Sequence, residues 1–231
     1  WSGDYPNEQK LGDFDLSNIV SAYECFKDSN VCGLSASSVS KPLKDANWDS
    51  CQIFEGCFNI QGSPSAVNNK QTKLDVSGWN FNQNNDDISM HSMFNFHTIG
   101  VDSGPQAGLA SWDVSNVINF ESFLNSATSF NEDLGSWDVS KAKNMRTMFI
   151  SASSVNFDAS SWVVNQVADY VSFSTNATSW VLPQPPFPFI ATNSNIQQAV
   201  DAILAVDPTG ATAVGTYGFI SNFNTTQVTD M

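Results

Sequence analysis

Positive charge is scarce in this chain of 231 residues, where 9 Lys and Arg stand against 23 Asp and Glu and leave a formal charge of −14. Arg146 is the only arginine. A nucleic-acid binder needs a basic stripe and docking on anionic lipid needs a basic cluster, so neither is expected as a partner. Long apolar runs are also missing: no stretch approaches the roughly 18 residues of a spanning helix, so no direct membrane insertion is expected. Charged residues of both signs make up only 14%, below the usual share of about 25%. The polar surface must then be built from Ser, Thr, Asn, Gln and Gly, as in secreted rather than cytosolic proteins. His91 and His97 are the only histidines. No nucleophile elbow, zinc-protease helix, phosphate loop or dinucleotide fingerprint is present, so neither an enzyme nor a bound cofactor is expected.

What the chain does have is enough apolar matter for a core, with 41% hydrophobic and 12% aromatic residues. It also has four cysteines, Cys25, Cys32, Cys51 and Cys57, in its first quarter. An even, clustered set suggests two disulfides. Buried thiols and a four-thiolate metal site are the rival readings, and the gaps between the cysteines are longer than zinc sites usually show. Asn176-Ala177-Thr178 and Asn224-Thr225-Thr226 are glycosylation sequons.

A repeat dominates the organisation. WDVSNVINFESFLNSATSFNEDLGS, WDVSKAKNMRTMFISASSVNFDASS and WVVNQVADYVSFSTNATSW open at Trp112, Trp137 and Trp162, each 25 residues after the last. Looser copies surround Phe14, Trp48 (in uncertain register), Trp79 and Phe223, for about seven in all. Counting the opening aromatic as zero, position −3 holds Leu11, Val76, Leu109, Leu134, Ala159 or Ile220, and position +2 holds Leu16, Phe81, Val114, Val139, Val164 or Thr225. This alternation suggests a short strand with one face inward. Position +7 holds Ser21, Asn119, Asn144, Asp169 or Asp230, all helix-capping types, and apolar residues follow at +8, +11 and +12, as in Met145, Met148 and Phe149. Each copy therefore reads as strand, turn and short capped helix. Such a unit buries its apolar side only by stacking on its neighbours. The expected fold class is α/β: a right-handed, leucine-rich-repeat-like solenoid with short parallel strands on one face and short helices on the other.

The pattern resembles the BspA-like leucine-rich-repeat surface proteins, in the variety whose unit runs W-D-V-S-N-V-x-N-M-x-x-M-F. The closest stretches are Trp112 to Leu134 and Trp137 to Ala152. The resemblance implies a secreted or cell-surface protein and says little about activity. The segment from Phe189 to Met231 is similar to the helix-plus-first-repeat unit that opens such arrays in algae and related protists.

The expected organisation is a solenoid over 1–180, a Pro-rich extended link over 181–193, an amphipathic helix over 194–207 and an incomplete further repeat over 208–231. The last unit breaks off at Met231, and the stretch from Tyr5 to Phe14 parallels the missing back half of a unit. The chain starts at Trp1 rather than at Met, which reads as a mature product or an excised piece. Joining copies head to tail completes a unit. That predicts a non-closing contact and so a structural filament of self-copies, with Trp1, Tyr5, Leu11, Val228 and Met231 at the assembly interface. A closed oligomer or arbitrary chain ends are the competing readings. The functional alternative is a secreted adhesion module that meets glycans or other cell-surface material on its concave strand face. Asp15, Asp113 and Asp138 recur at one outward position, with Asn80 and Asn224 as equivalents. Stacked carboxylates there could attract calcium, or could bond nearby turn amides.

Overall fold

The computed structural model describes residues 16, 18–25, 27, 47–59, 79–81, 87–95, 108–188, 190–192, 196–206 and 224–228. The named elements are β1 (Asn47–Trp48), β2 (Asn80–Phe81), β3 (Ile88–Ser89), β4 (Val117–Asn119), β5 (Ile190–Thr192), α1 (Ile196–Val206) and β6 (Asn224–Gln227). Every pairing is parallel: β1 with β2, β3 with β4, and β5 with β6. Single bridges extend the pattern from Ser21 to Ile53 to Ser89, and from Asn119 to Asn144 to Asp169. With β3 and β4 joining the two runs, position +7 is hydrogen-bonded from copy to copy.

The clean copies pack in strict register. Phe120, Ser122, Leu124 and Ser126 donate their N–H groups to the carbonyls of Asn144, Arg146, Met148 and Ile150, at 2.8–2.9 Å. Met145, Thr147, Phe149 and Ser151 do the same to Asp169, Val171, Phe173 and Thr175. Alternate amides from +8 to +14 are thus satisfied by the next copy along. The apolar side chains point the other way. Phe54, Met90, Phe120 and Met145 fill position +8, and Cys57, Met93, Phe123, Met148 and Phe173 fill +11, all buried.

Two local expectations differ from the structure. The residues after +7 do not form helices at 120–126, 145–151 or 170–176; they form successive turns. The amides an α-helix would use internally are the ones that bond the neighbouring copy. Left-handed residues also interrupt any helix: Ser92, Ser122, Thr147 and Ser172 at +10 have φ of 52–56°, and Ser126, Ser151 and Asn176 at +14 have φ of 58–63°. A three-and-four spacing of apolar residues serves such a two-turn path as well as a helix. The strand likewise starts later than expected in the clean copies. The stretch from −3 to zero is a turn, closed by bonds from the N–H of Trp112, Trp137 and Trp162 to the carbonyls of Leu109, Leu134 and Ala159. A second turn joins +5 to +2, as in Val117 to Val114. The same bond from Cys51 to Trp48 places Trp48 at +2, which resolves the register of that copy.

Tryptophan ties the copies together from inside. Trp137 and Trp162 lie almost parallel, at 8° with centroids 6.4 Å apart. Their indole N–H groups donate to the carbonyls of Leu109 and Leu134, one copy back, at 2.9 and 3.1 Å. A buried indole keeps its hydrogen bond this way while its ring fills the core.

The segment after Trp180 lies on the copy before it. The N–H groups of Val181 and Leu182 both donate to Asn156 Oδ1, and the Ala159 N–H donates to the Pro183 carbonyl. Phe187 stacks on Tyr170, at 3° and 4.4 Å, and meets Phe173 edge-on. Pro185 and Pro188 are buried. Proline has no N–H to extend a ladder, so this segment covers the core without adding a strand to that copy. Beyond it, β5, α1 and β6 form a parallel crossover, which needs a connection of about a dozen residues or more, usually a helix. Ala199 and Ile203 are buried on one face of α1, and the Val228 N–H donates to the Thr225 carbonyl as at other +5 positions.

Candidate functional site

The column at +7 and +9 is the most organised polar surface. Asn119, Asn144 and Asp169 are held by parallel bridges, and each turns its Oδ1 onto the backbone N–H two residues on, at Glu121, Arg146 and Val171. Short polar side chains suit +7 for this reason: they satisfy the amide that leaves the strand. These are turn-capping bonds rather than helix caps. The remaining polar atoms link copies. Asn119 Nδ2 donates to Ser89 Oγ, Ser89 Oγ to Glu55 Oε1, and Asn144 Nδ2 to Glu121 Oε2. Arg146 meets Asp169 at 3.4 Å, and Lys143 meets Asp87 at 3.7 Å. His91 stands between Glu55 and Glu121 in the +9 column, because Ile53 pairs with Ser89 and Ser89 with Asn119. The arrangement is two runs of side-chain hydrogen bonds along the stack, Glu55–Ser89–Asn119 and Glu121–Asn144, joined where the Glu121 N–H donates to Asn119 Oδ1. It offers carboxylate, amide and hydroxyl groups to a polar ligand.

The recurrent aspartates serve the backbone. Asp113 and Asp138 accept from the N–H of Ser115 and Ser140 at 3.1 and 3.0 Å, and Asp133 and Asp158 do likewise with Gly135 and Ser160. The Ser140 hydroxyl, then its N–H, hold the Asp138 carboxyl below the usual carboxylate range, and Ser160 does the same for Asp158. No group of three or more His, Cys, Asp or Glu suited to a metal ion occurs among the described residues. Asp15 and His97 lie outside them, and for Asn80 and Asn224 only the strand backbone is described.

Of the cysteines, Cys25 is exposed, Cys51 and Cys57 are buried, and no disulfide joins any two of these three. Cys32 lies outside the described residues. Burial pushes the Cys51 thiol up to about 11, and this thiol donates to the Ile53 carbonyl at 3.5 Å. Burial also raises Cys25. Asn176 is exposed in a left-handed turn, and Asn224 opens β6. Of the expected assembly residues, Val228 is described and half-buried; Trp1, Tyr5, Leu11 and Met231 lie outside the described residues. Sequence reasoning missed the Glu55, Ser89, Glu121 and Arg146 links. Their only signal was polar residues at +7 and +9, and Glu55 and Ser89 sit in copies whose spacing is irregular.

Residues 63–182 match the family described as "Mycoplasma protein of unknown function, DUF285". That is just over half of the chain. The chain belongs to this family. Membership in DUF285 agrees, at family level, with the BspA-like repeat resemblance. No curated protein and no solved structure shows significant similarity to the chain. Among the described residues of this DUF285 protein, no helix is long and apolar enough to cross a membrane.

Proposed function

We propose that the chain is a structural unit of an extracellular, surface-attached filament. Its core is a right-handed, leucine-rich-repeat-like solenoid of the 25-residue BspA-like variety, assembled with further copies of itself through the ends of the stack. The observation that carries this reading is the polarity of the backbone bonds. The copies opened by Trp112 and Trp137 donate from +8, +10, +12 and +14, and those opened by Trp137 and Trp162 accept at +7, +9, +11 and +13. A stack built that way ends in donors on one side and acceptors on the other, which is the geometry of a heterologous, non-closing contact. In the copy opened by Trp162, the N–H groups of Tyr170, Ser172, Ser174 and Asn176 hold the donor positions and have no partner among the described residues. A row of this kind is a template for further pairing, here beside a segment whose Phe187 and Pro188 already cover the Tyr170 and Phe173 side chains.

Electron microscopy of unfractionated, never-refolded material tests the reading. Fibres with an axial repeat of roughly 35–60 Å are expected from about seven coils at ~4.8 Å and the helix layer. Monodisperse particles near the monomer mass of 25.1 kDa, even at high concentration, overturn it. A second reading, a secreted adhesion module, is favoured by the side-chain column from Glu55 to Asn144. Glycan-array binding that is lost in Asn144→Ala, with no fibres present, would select it.

A further inference from the structure

We propose that Cys25 and Cys57 are joined by a disulfide that clasps the first two copies of the stack. This inference is independent of the filament. The register of those copies is set by two backbone bonds, from Ala22 N–H to the Ile53 carbonyl at 2.8 Å and from Glu24 N–H to the Glu55 carbonyl at 2.9 Å. A bridge between Ser21 and Ile53 fixes the same offset. Carried one step further along both chains, that offset sets Cys25 beside Cys57. The local turns agree, since Cys25 donates to the Ala22 carbonyl and Cys57 to the Phe54 carbonyl. Both cysteines therefore occupy +11; Cys57 is buried in the column that continues through Met93, Phe123, Met148 and Phe173, and Cys25 is exposed beside it. In-register neighbours on parallel chains are about 4.8 Å apart, within the roughly 4.4–6.8 Å between Cα atoms that a disulfide spans.

The other described thiol is placed differently. Cys51 lies near enough to Cys25 for the two thiols to interact electrostatically, but it sits at +5, where its N–H closes the turn to Trp48 and its thiol donates to the Ile53 carbonyl. Cys25 is exposed and so can meet an oxidant, whereas Cys57 is buried. With a small disulfide such as oxidised glutathione, the Cys25 thiolate attacks one sulfur and expels one glutathione thiolate. The Cys57 thiolate then attacks Cys25 Sγ and expels the second. Two cysteine thiols and one glutathione disulfide become one protein disulfide and two glutathione thiols, with the two protons passing to the leaving thiolates.

Peptide mapping tests the pairing. The full chain is incubated with oxidised glutathione, remaining thiols are alkylated, and the unreduced protein is cut with trypsin and chymotrypsin. Cuts after Lys27, Phe54 and Phe58 put Cys25, Cys51 and Cys57 on separate peptides. The expected product links the Cys25 peptide to the Cys57 peptide. Reductant should then lower the melting temperature of the wild type by about 10 °C. The Cys25→Ser variant, changed at an exposed site so that the core is undisturbed, should melt at the reduced value with or without reductant. A Cys25 peptide linked to the Cys32 or Cys51 peptide overturns the proposal, as does full alkylation of all four cysteines after the oxidant.

Discussion

At the scale of single residues, small polar side chains do most of the local shaping. Asx bonds recur at +1, as in Asp113 and Asp138, and at +7, as in Asn119 and Asn144. They end each extended piece and satisfy the amide that turns away. Asp138 gives this a pH signature. Its folded carboxyl is held below the usual range, so the stability it contributes is fully present above that range and is lost as pH falls through the folded value. Replacing Asp138 with Ala should cost about 0.5–1 kcal/mol at neutral pH, an exposed bond being partly screened. The difference from wild type should shrink in acid. Asn at this position keeps an uncharged acceptor and should remove the acid dependence. Urea melts of wild type, Asp138→Ala and Asp138→Asn from pH 7 to pH 2 check this. An Asp138→Ala effect that stays constant over the range would contradict it.

At the scale of an element, the repeat depends on close backbone approach where one coil crosses the next. Gly135 is such a place, because a Cβ there would stand 2.5 Å from the Asp158 carbonyl oxygen. That neighbour is backbone held in the next copy and cannot swing aside. Gly135→Ala should therefore destabilise the protein by about 1–3 kcal/mol, through overpacking rather than loss of conformational freedom. Other copies avoid the need locally, since Ala110 occupies the equivalent position before Trp112. Thermal melts of Gly135→Ala beside a control such as Ser136→Ala give the comparison. Equal melting temperatures would mean that the two copies can separate without loss.

At the scale of the molecule, the described structure is a parallel, cross-bonded stack with little helix. α1, with its 11 residues, is the only α-helix among the described residues. Far-ultraviolet circular dichroism should accordingly show a weak minimum near 218 nm rather than the paired minima of a helical repeat protein. Strong paired minima would restore helices to the back of each unit. The stack also joins charge to structure. A chain with a formal charge of −14 places carboxylates such as Glu55 and Glu121 where Ser89 and Asn144 can donate to them.

Much of the packing was legible in the sequence. The spacing of Trp112, Trp137 and Trp162, and the inward positions +2, +5, +8, +11 and +12, followed from which side chains are apolar. Burial is a property each residue carries with it, so a 25-residue period exposes the core directly. The path of the backbone between those positions was decided by tertiary structure. An amide at +8 or +10 can be satisfied four residues back in its own helix or by a carbonyl in the neighbouring copy, and the apolar spacing is the same in both cases. Only the stacked neighbour, with Ser122 and Thr147 in left-handed conformations, selects the second solution. The polar column from Glu55 to Asn144 was hidden for the same reason: its members are 23 to 34 residues apart, and copy-to-copy register alone makes them neighbours.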